Sequence, residues 1–169
     1  MSDHDCLLTS SQTIGPFPHE AWHWAVEASA QPGAAAVVIA GRLLDGAGEP
    51  VNDGWIEAWN PGAAEAGPLP GFRRVPTGEQ GEFVLWLSPA VDRGEPAAHI
   101  TVFARGLLKH QFSAVFLADA PGLGDSALLA QVPEARRASL LALPDAVPGH
   151  YRWDIHLQGE GETVFFDYR

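Results

Sequence analysis

The residues whose spacing most resembles a metal-dependent hydrolase site are His19 and His23, which bracket an H-E-x-x-H sequence. On a helix this spacing places both imidazoles on one face for zinc, with Glu20 as the general base. Pro18 crowds the start of the predicted helix, and Ser29 stands where the extended motif has a third histidine. The alternative is that both histidines are solvated positions at a helix start, and the sequence context favours it.

Other residue combinations that could support catalysis are incomplete. Ser113 and Ser126 lack the G-x-S-x-G context of an activated serine. Glu160 and Glu162 lie in a predicted turn, where two exposed carboxylates lack the contrasting environments that acid–base catalysis requires. No two of the 7 histidines are spaced as His-x-His, and Cys6 has no cysteine partner. The chain alone therefore offers no complete catalytic apparatus.

Short apolar runs separated by turn residues must position these groups. With 18 glycines and 14 prolines, many short elements are expected rather than a few long helices. Short helices are predicted at 21–30 and 134–143. Strands are predicted from apolar or alternating patterns at residues 35–44, 55–59, 83–87, 100–104, 112–117, 151–157 and 163–168. This pattern predicts an all-β sandwich or barrel with one or two short helices.

Length and charge narrow the possible functions. A chain of 169 residues suits one domain, here an arm with a short helix at 1–34 and a β core at 35–169. The net charge of −11 disfavours nucleic acid and anionic membranes as partners. A small anion remains compatible, because one nearby arginine outweighs a distant, screened field. Neither a signal peptide nor a membrane span is predicted, so the cytoplasm is the expected location.

Three stretches of the chain together resemble the intradiol ring-cleaving dioxygenases, and in particular the α-type chains of that family. Residues 11–17 (S-Q-T-I-G-P-F) are similar to the S-Q-T-x-G-P-[YF] motif, and residues 99–106 (H-I-T-V-F-A-R-G) to a strand ending in F-A-R-G. The tail at 152–168 contains Q-G-E-G-E-T-V-F-F-D, which resembles the α-type C-terminus. The resemblance spans nearly the whole chain and implies the β-sandwich of that family.

The resemblance also implies that this chain binds no metal. Iron-binding members hold Fe(III) with two tyrosinates and with two histidines spaced His-x-His in one strand. His99 matches the first histidine, but Thr101 stands where the second would be. The chain's two tyrosines, Tyr151 and Tyr168, lie outside the 59–98 region where the family's ligand tyrosines fall. His99 is therefore the single residual match to a metal ligand.

What the family implies instead is a shared site. An iron-bearing β-type subunit would bind an aromatic dihydroxy acid through both hydroxyl oxygens, and O₂ would cleave the ring between the hydroxylated carbons to give a muconate. This chain would supply one wall of the pocket, with Thr13, Gly15, Pro16 and Phe17 from the first motif and Arg105 from the second. Phe17 replaces the usual tyrosine, so a ring contact is kept and a hydroxyl is lost. The Arg105 guanidinium suits an anionic aromatic, because it offers a fixed fork of donors.

Two alternatives to this shared site stay open. Gly15 and Pro16 could form a turn without any contact to substrate, and Arg105 could be a simple charge at the end of a strand. The whole chain could also be a catalytically silent β-sandwich that mediates association. In each case the isolated chain is expected to be inactive.

Overall fold

Nine strands dominate the part of the chain that the structure, a computed structural model, describes: residues 23–27, 37–63, 69–88 and 92–168. The strands are β1 (Val37–Leu44), β2 (Trp55–Trp59), β3 (Phe72–Pro76), β4 (Glu82–Leu87), β5 (Ala98–Phe103), β6 (Gln111–Leu117), β7 (Leu141–Pro144), β8 (His150–Arg152) and β9 (Ile155–His156). The helices are α1 (23–27), α2 (Ala127–Ala130) and α3 (Glu134–Arg137), with 3-10 turns at Leu123–Asp125 and Ala138–Leu140. No helix within these ranges is long and apolar enough to cross a membrane.

The strands form two sheets that enclose one main core. The first sheet has the order β4-β1-β8-β7, with β9 also beside β1, and the second has the order β3-β2-β5-β6. Strands β6 and β7 run parallel and join the sheets. Fully buried aliphatic side chains from both sheets pack between them, including Ile39, Leu85, Ile56 and Ile100. The predicted all-β sandwich is confirmed, whereas the arm at 1–34 lies mostly outside the described residues and its boundary stays a prediction.

Strand β1 and the residue after β8 approach each other so closely that position 41 requires glycine. A Cβ on Gly41 would lie 1.7 Å from the backbone oxygen of Trp153, so any larger residue would push these segments apart. Just beyond, the Asp154 carboxylate accepts the backbone N–H of Arg42 at 2.8 Å. The Asp154 side chain replaces a backbone carbonyl as the acceptor, so the hydrogen-bond ladder along β1 is interrupted between β8 and β9. The predicted strand at 151–157 is therefore two short strands, β8 and β9.

Two other sequence predictions were wrong in part. The helix predicted at 134–143 ends early, and its last residues form β7, because the Ala142 carbonyl accepts the N–H of Ala118 beside β6. The tail at 163–168 forms an isolated bridge in place of the predicted strand. In that bridge Phe166 donates its backbone N–H to the carbonyl of Phe112 at 2.8 Å. Both segments complete the edge of β6, which local patterns do not indicate.

Strand β3 was not predicted, because its two consecutive arginines resemble a solvated loop. Arg73 is instead only 4% exposed. Its Nε donates to the carbonyl of Trp86 on β4 at 2.6 Å, and its Nη1 donates to the carbonyl of Phe72 at 2.8 Å. The guanidinium thereby joins the two terminal strands of the strand order, β3 and β4.

Candidate functional site

The face of the second sheet that points away from the core carries the candidate site, and we call it the outer face. Strand register places its side chains in rows. Trp59 lies opposite Phe72 on β3 and His99 on β5. In the next row Glu57 lies between Arg74 and Thr101, and Thr101 is followed by Phe112 on β6. Trp55 and Phe103 form the following row, with ring centroids 5.2 Å apart.

His99 and Thr101, two residues apart on β5, open into the same cavity, which we call the sheet pocket. Its volume is about 360 Å³. Ring contacts frame it: the centroids of Trp59 and His99 lie 6.4 Å apart, and those of Phe112 and Tyr168 lie 5.3 Å apart. Its described walls are Glu57, Trp59, Phe72, His99, Ile100, Thr101, Phe112, Ser113 and Tyr168. The result is a mostly aromatic cavity with a few polar groups.

An ion pair lies beside this pocket. Arg74 Nε is 2.8 Å from Glu57 Oε1, and Arg74 Nη2 donates to the same oxygen. The two side chains are only 12% and 17% exposed. The guanidinium also lies 5.5 Å from the Trp55 ring centroid and 5.6 Å from that of Phe72. Arg74 is therefore committed to Glu57 and to two aromatic faces.

Arg105 lies at the other end of the outer face, just after β5. Its Nε is 2.8 Å from Asp53 Oδ2, and the side chains of Arg105 and Asp53 are 66% and 19% exposed. The N–H is not directed at that oxygen, since Asp53 Oδ2 is buried without an aligned donor, so the contact is an ion pair rather than a hydrogen bond. The terminal amino groups of Arg105 have no hydrogen-bond partner among the described residues. They remain available to an anion on another molecule.

Comparison with known proteins identifies the scaffold that carries this face. The protocatechuate 3,4-dioxygenase alpha chain of Burkholderia cepacia is 35% identical over 192 aligned positions, which cover 94% of this chain and 96% of that one. The chain belongs to the protocatechuate 3,4-dioxygenase alpha-chain family. The alpha chain of Pseudomonas putida is 31% identical over 195 positions, covering 95% of this chain and 96% of its own length. The family resemblance inferred from the three motifs is therefore confirmed.

The fold of this alpha-chain family member agrees with solved dioxygenases. Hydroxyquinol 1,2-dioxygenase from Pseudomonas putida DLL-E4 superposes with a TM-score of 0.58 at 16% sequence identity, covering 92% of this chain and 64% of that one. No family model matches the chain. At this identity the structural match supports the sandwich fold alone, and the sequence relatives identify the alpha-chain family.

The described residues of this alpha-type chain do not fit the iron-ligand set that the family uses. No three of their His, Cys, Asp and Glu side chains are grouped to hold a metal ion. Tyr168 reaches the sheet pocket beside His99, but Thr101 offers a hydroxyl where an imidazole is needed. Tyr151 lies in the first sheet, with its hydroxyl 3.4 Å from Asp119 Oδ2. Burial and, secondarily, the Asp119 carboxylate raise the pKa of Tyr151, which disfavours a phenolate.

Several sequence-predicted site residues lie outside the described part of the chain. They are Thr13, Gly15, Pro16 and Phe17, together with His19 of the zinc hypothesis. His23 lies on α1, where its Nδ1 is 3.3 Å from Glu27 Oε1. The first-motif wall therefore stays a prediction and the zinc site a disfavoured alternative, and the described part of the candidate site consists of Arg105 and the pocket around His99.

Three residues of the outer face were missed as site residues by sequence reasoning. Glu57 alternates with its neighbours on β2 and has no partner visible in the sequence, although a carboxylate between two tryptophans on one strand face is an unusual signal. Asp53 comes beside Arg105 through pairing of β2 with β5. Tyr168 returns to the pocket through the bridge between Phe166 and Phe112. No local pattern encodes the last two contacts.

Proposed function

We propose that this chain is the iron-free alpha subunit of a protocatechuate 3,4-dioxygenase, which completes a substrate pocket at its interface with an iron-bearing beta subunit. The assembled cytoplasmic enzyme would add both atoms of O₂ to protocatechuate and give 3-carboxy-cis,cis-muconate. Two relatives of nearly equal length are named as alpha chains of this enzyme. The observation that carries the proposal is an arginine held at Nε by Asp53, with its terminal amino groups unpaired among the described residues.

Arg105 suits the carboxylate of such a substrate for electrostatic reasons. The chain carries a net charge of −11, so an aromatic anion is repelled by most of its surface. A guanidinium within hydrogen-bond distance outweighs that field, because charges more than about 8 Å away are screened at physiological salt. Asp53 restrains the side chain at Nε and leaves the fork of donors that matches a carboxylate. Asp53 is therefore a positioning residue in this proposal.

The first-motif residues would complete the same wall. Gly15 and Pro16 would form a tight loop whose backbone can approach a planar ring, with Thr13 and Phe17 beside it. Their assignment depends on the S-Q-T-I-G-P-F match to the family. The iron itself would be held by the partner subunit, where it supplies the activation of the bound catechol toward O₂. The mismatch between the described residues and the iron-ligand set supports this division.

Substitution of Arg105 in the assembled enzyme tests the proposal. In a complex coexpressed with an iron-bearing beta chain, Arg105→Ala should raise KM for protocatechuate by about tenfold or more, as expected for loss of a charged hydrogen bond. The KM for catechol, which lacks the carboxylate, should rise much less in the same variant. Arg93→Ala is a matched control, because Arg93 is 70% exposed and its Nη2 lies 2.8 Å from Asp125 Oδ2.

These measurements distinguish a subunit that contributes to the substrate pocket from a scaffold that only mediates association. Unchanged KM and kcat in the Arg105→Ala complex would remove Arg105 from the site. If the complex forms but its activity equals that of the beta chain alone, the chain mediates association and contributes nothing to the pocket.

A further inference from the structure

The sheet pocket contains polar groups that no contact within the described part of the chain explains. Both hydrogen bonds between Arg74 and Glu57 go to Oε1, so Oε2 of the same carboxylate accepts none from this arginine. The hydroxyl of Thr101 and the ring nitrogens of His99 also have no side-chain hydrogen-bond partner among the described residues. These groups belong to two neighbouring rows of the outer face and line one cavity.

The walls around these groups are suited to a planar ring. Trp59, Phe72 and Phe112 present aromatic surface, and Tyr168 borders the pocket from the tail. A cavity of about 360 Å³ has room for a single substituted ring. Pockets that bind small molecules combine such apolar lining with a few converging polar groups that fix orientation.

The charges of the pocket select among aromatic ligands. Its described walls contain no lysine or arginine, and the nearby Arg74 guanidinium is committed to Glu57. A carboxylated ring would bring its negative charge close to the Glu57 carboxylate, with no lysine or arginine among the described walls to match it. A neutral ring bearing hydroxyl groups fits better, because a phenolic O–H donates to Glu57 Oε2 and Thr101 can accept or donate.

We infer that the sheet pocket is a metal-free binding site for a neutral hydroxylated aromatic ring, a phenol or a catechol without a carboxylate. The ring packs between Trp59 and Phe112, and its hydroxyl groups contact Glu57, Thr101 and His99. This inference requires no contribution from Arg105 or from a partner chain, so it can fail while the proposed function holds.

An NMR titration of the full chain with phenol tests the inference. In ¹⁵N-labelled protein the Trp59 indole N–H signal should shift and saturate as phenol is added. Trp24 is an internal control, because the two tryptophans have similar exposure, 50% for Trp59 and 57% for Trp24. The Trp24 signal should not follow the same curve, and a Trp59→Phe variant assigns the signal. Benzoate, a ring of the same size with a carboxylate, should bind at least about tenfold more weakly, since the described pocket walls offer its carboxylate no lysine or arginine.

Removal of one polar group provides the second measurement. Thr101→Val keeps the shape of the side chain and should weaken phenol binding about fivefold, the effect of one ordinary hydrogen bond. The same comparison by equilibrium dialysis of radiolabelled phenol, on the complex coexpressed with a beta chain, applies if the chain needs its partner to fold. Equal shifts at Trp24 and Trp59, equal affinity for benzoate, or no effect of Thr101→Val would overturn the inference. A pocket already filled by a protein segment would show no saturable shift and would overturn it as well.

Discussion

Two arginine–carboxylate pairs on one face of one sheet have similarly buried carboxylates but very different arginines. Arg74 and Glu57 are largely buried, and the arginine packs against two aromatic rings. Arg105 is mostly exposed and is held at Nε alone, by Asp53. In the first pair the arginine is held by its carboxylate and by the rings and so serves the fold, although Glu57 also lines the sheet pocket. The second leaves donors unused, which is what recognition of another molecule requires.

Removal of the Glu57 carboxylate should give the largest effect on stability. Glu57→Ala removes the carboxylate that pairs with the largely buried Arg74 guanidinium, and we expect a loss of about 2–3 kcal/mol in the free energy of unfolding. Asp53→Ala should cost less than about 1 kcal/mol, because Arg105 is mostly exposed and makes no aligned hydrogen bond to Asp53 Oδ2. Urea unfolding of both variants measures the difference. Similar losses of stability would show that the burial of Arg74 and the exposure of Arg105 do not distinguish the two pairs energetically.

Asp53 itself should affect catalysis more than folding. In the assembled enzyme Asp53→Asn removes the charge that orients Arg105, and we expect KM for protocatechuate to rise about two- to fivefold with kcat little changed. The change should vanish when Arg105→Ala is already present, because the two residues act through one contact. Asp53→Glu should restore part of the affinity. An Asp53 effect that persists in the Arg105→Ala background would contradict a positioning role.

The smallest effect is expected away from both pairs, at Tyr151 in the first sheet. Tyr151→Phe removes a long hydrogen bond to Asp119 and should cost less than about 1 kcal/mol. The raised pKa means that the folded chain holds the phenolic proton more tightly than the unfolded chain. This contribution is complete below the ordinary tyrosine pKa of 10.0 and is lost as pH rises above it. Stability measured from pH 8 upward should therefore fall more steeply in the wild type than in the variant.

Strands with a clear alternation of apolar and polar residues can be predicted from the sequence. Strands whose residues are equally typical of loops or helices cannot. Strands β2 and β5 follow apolar or alternating patterns, so the sequence alone is enough to place Thr101 within a strand and Arg105 just after it, although the predicted strand begins one residue after His99. Strand β3 gives no such signal, because the burial of Arg73 and the pairing of Arg74 are not visible in the order of residues. Strand β7 has a helical pattern, since leucine and alanine favour helices when no partner strand is known.

The candidate site also has a part that can be predicted from the sequence and a part that cannot. The motif that contains Arg105 is local and can be recognised, but its contact with Asp53 depends on the register between β2 and β5. The sheet pocket depends on that register too, and on the return of Tyr168 along β6. Long-range pairing of this kind is set by packing of the whole sandwich, which local periodicity does not determine.

The buried guanidinium of Arg73 bears on how the chain behaves at high concentration. Terminal strands of a sheet expose unpaired backbone groups and are templates for intermolecular pairing. Here the Arg73 side chain donates a hydrogen bond to a carbonyl of β4 and so ties that strand to β3. The two terminal strands of the described strand order are thereby held against each other. Resistance to aggregation during expression should therefore depend on this single side chain, and its loss would favour β-rich assemblies.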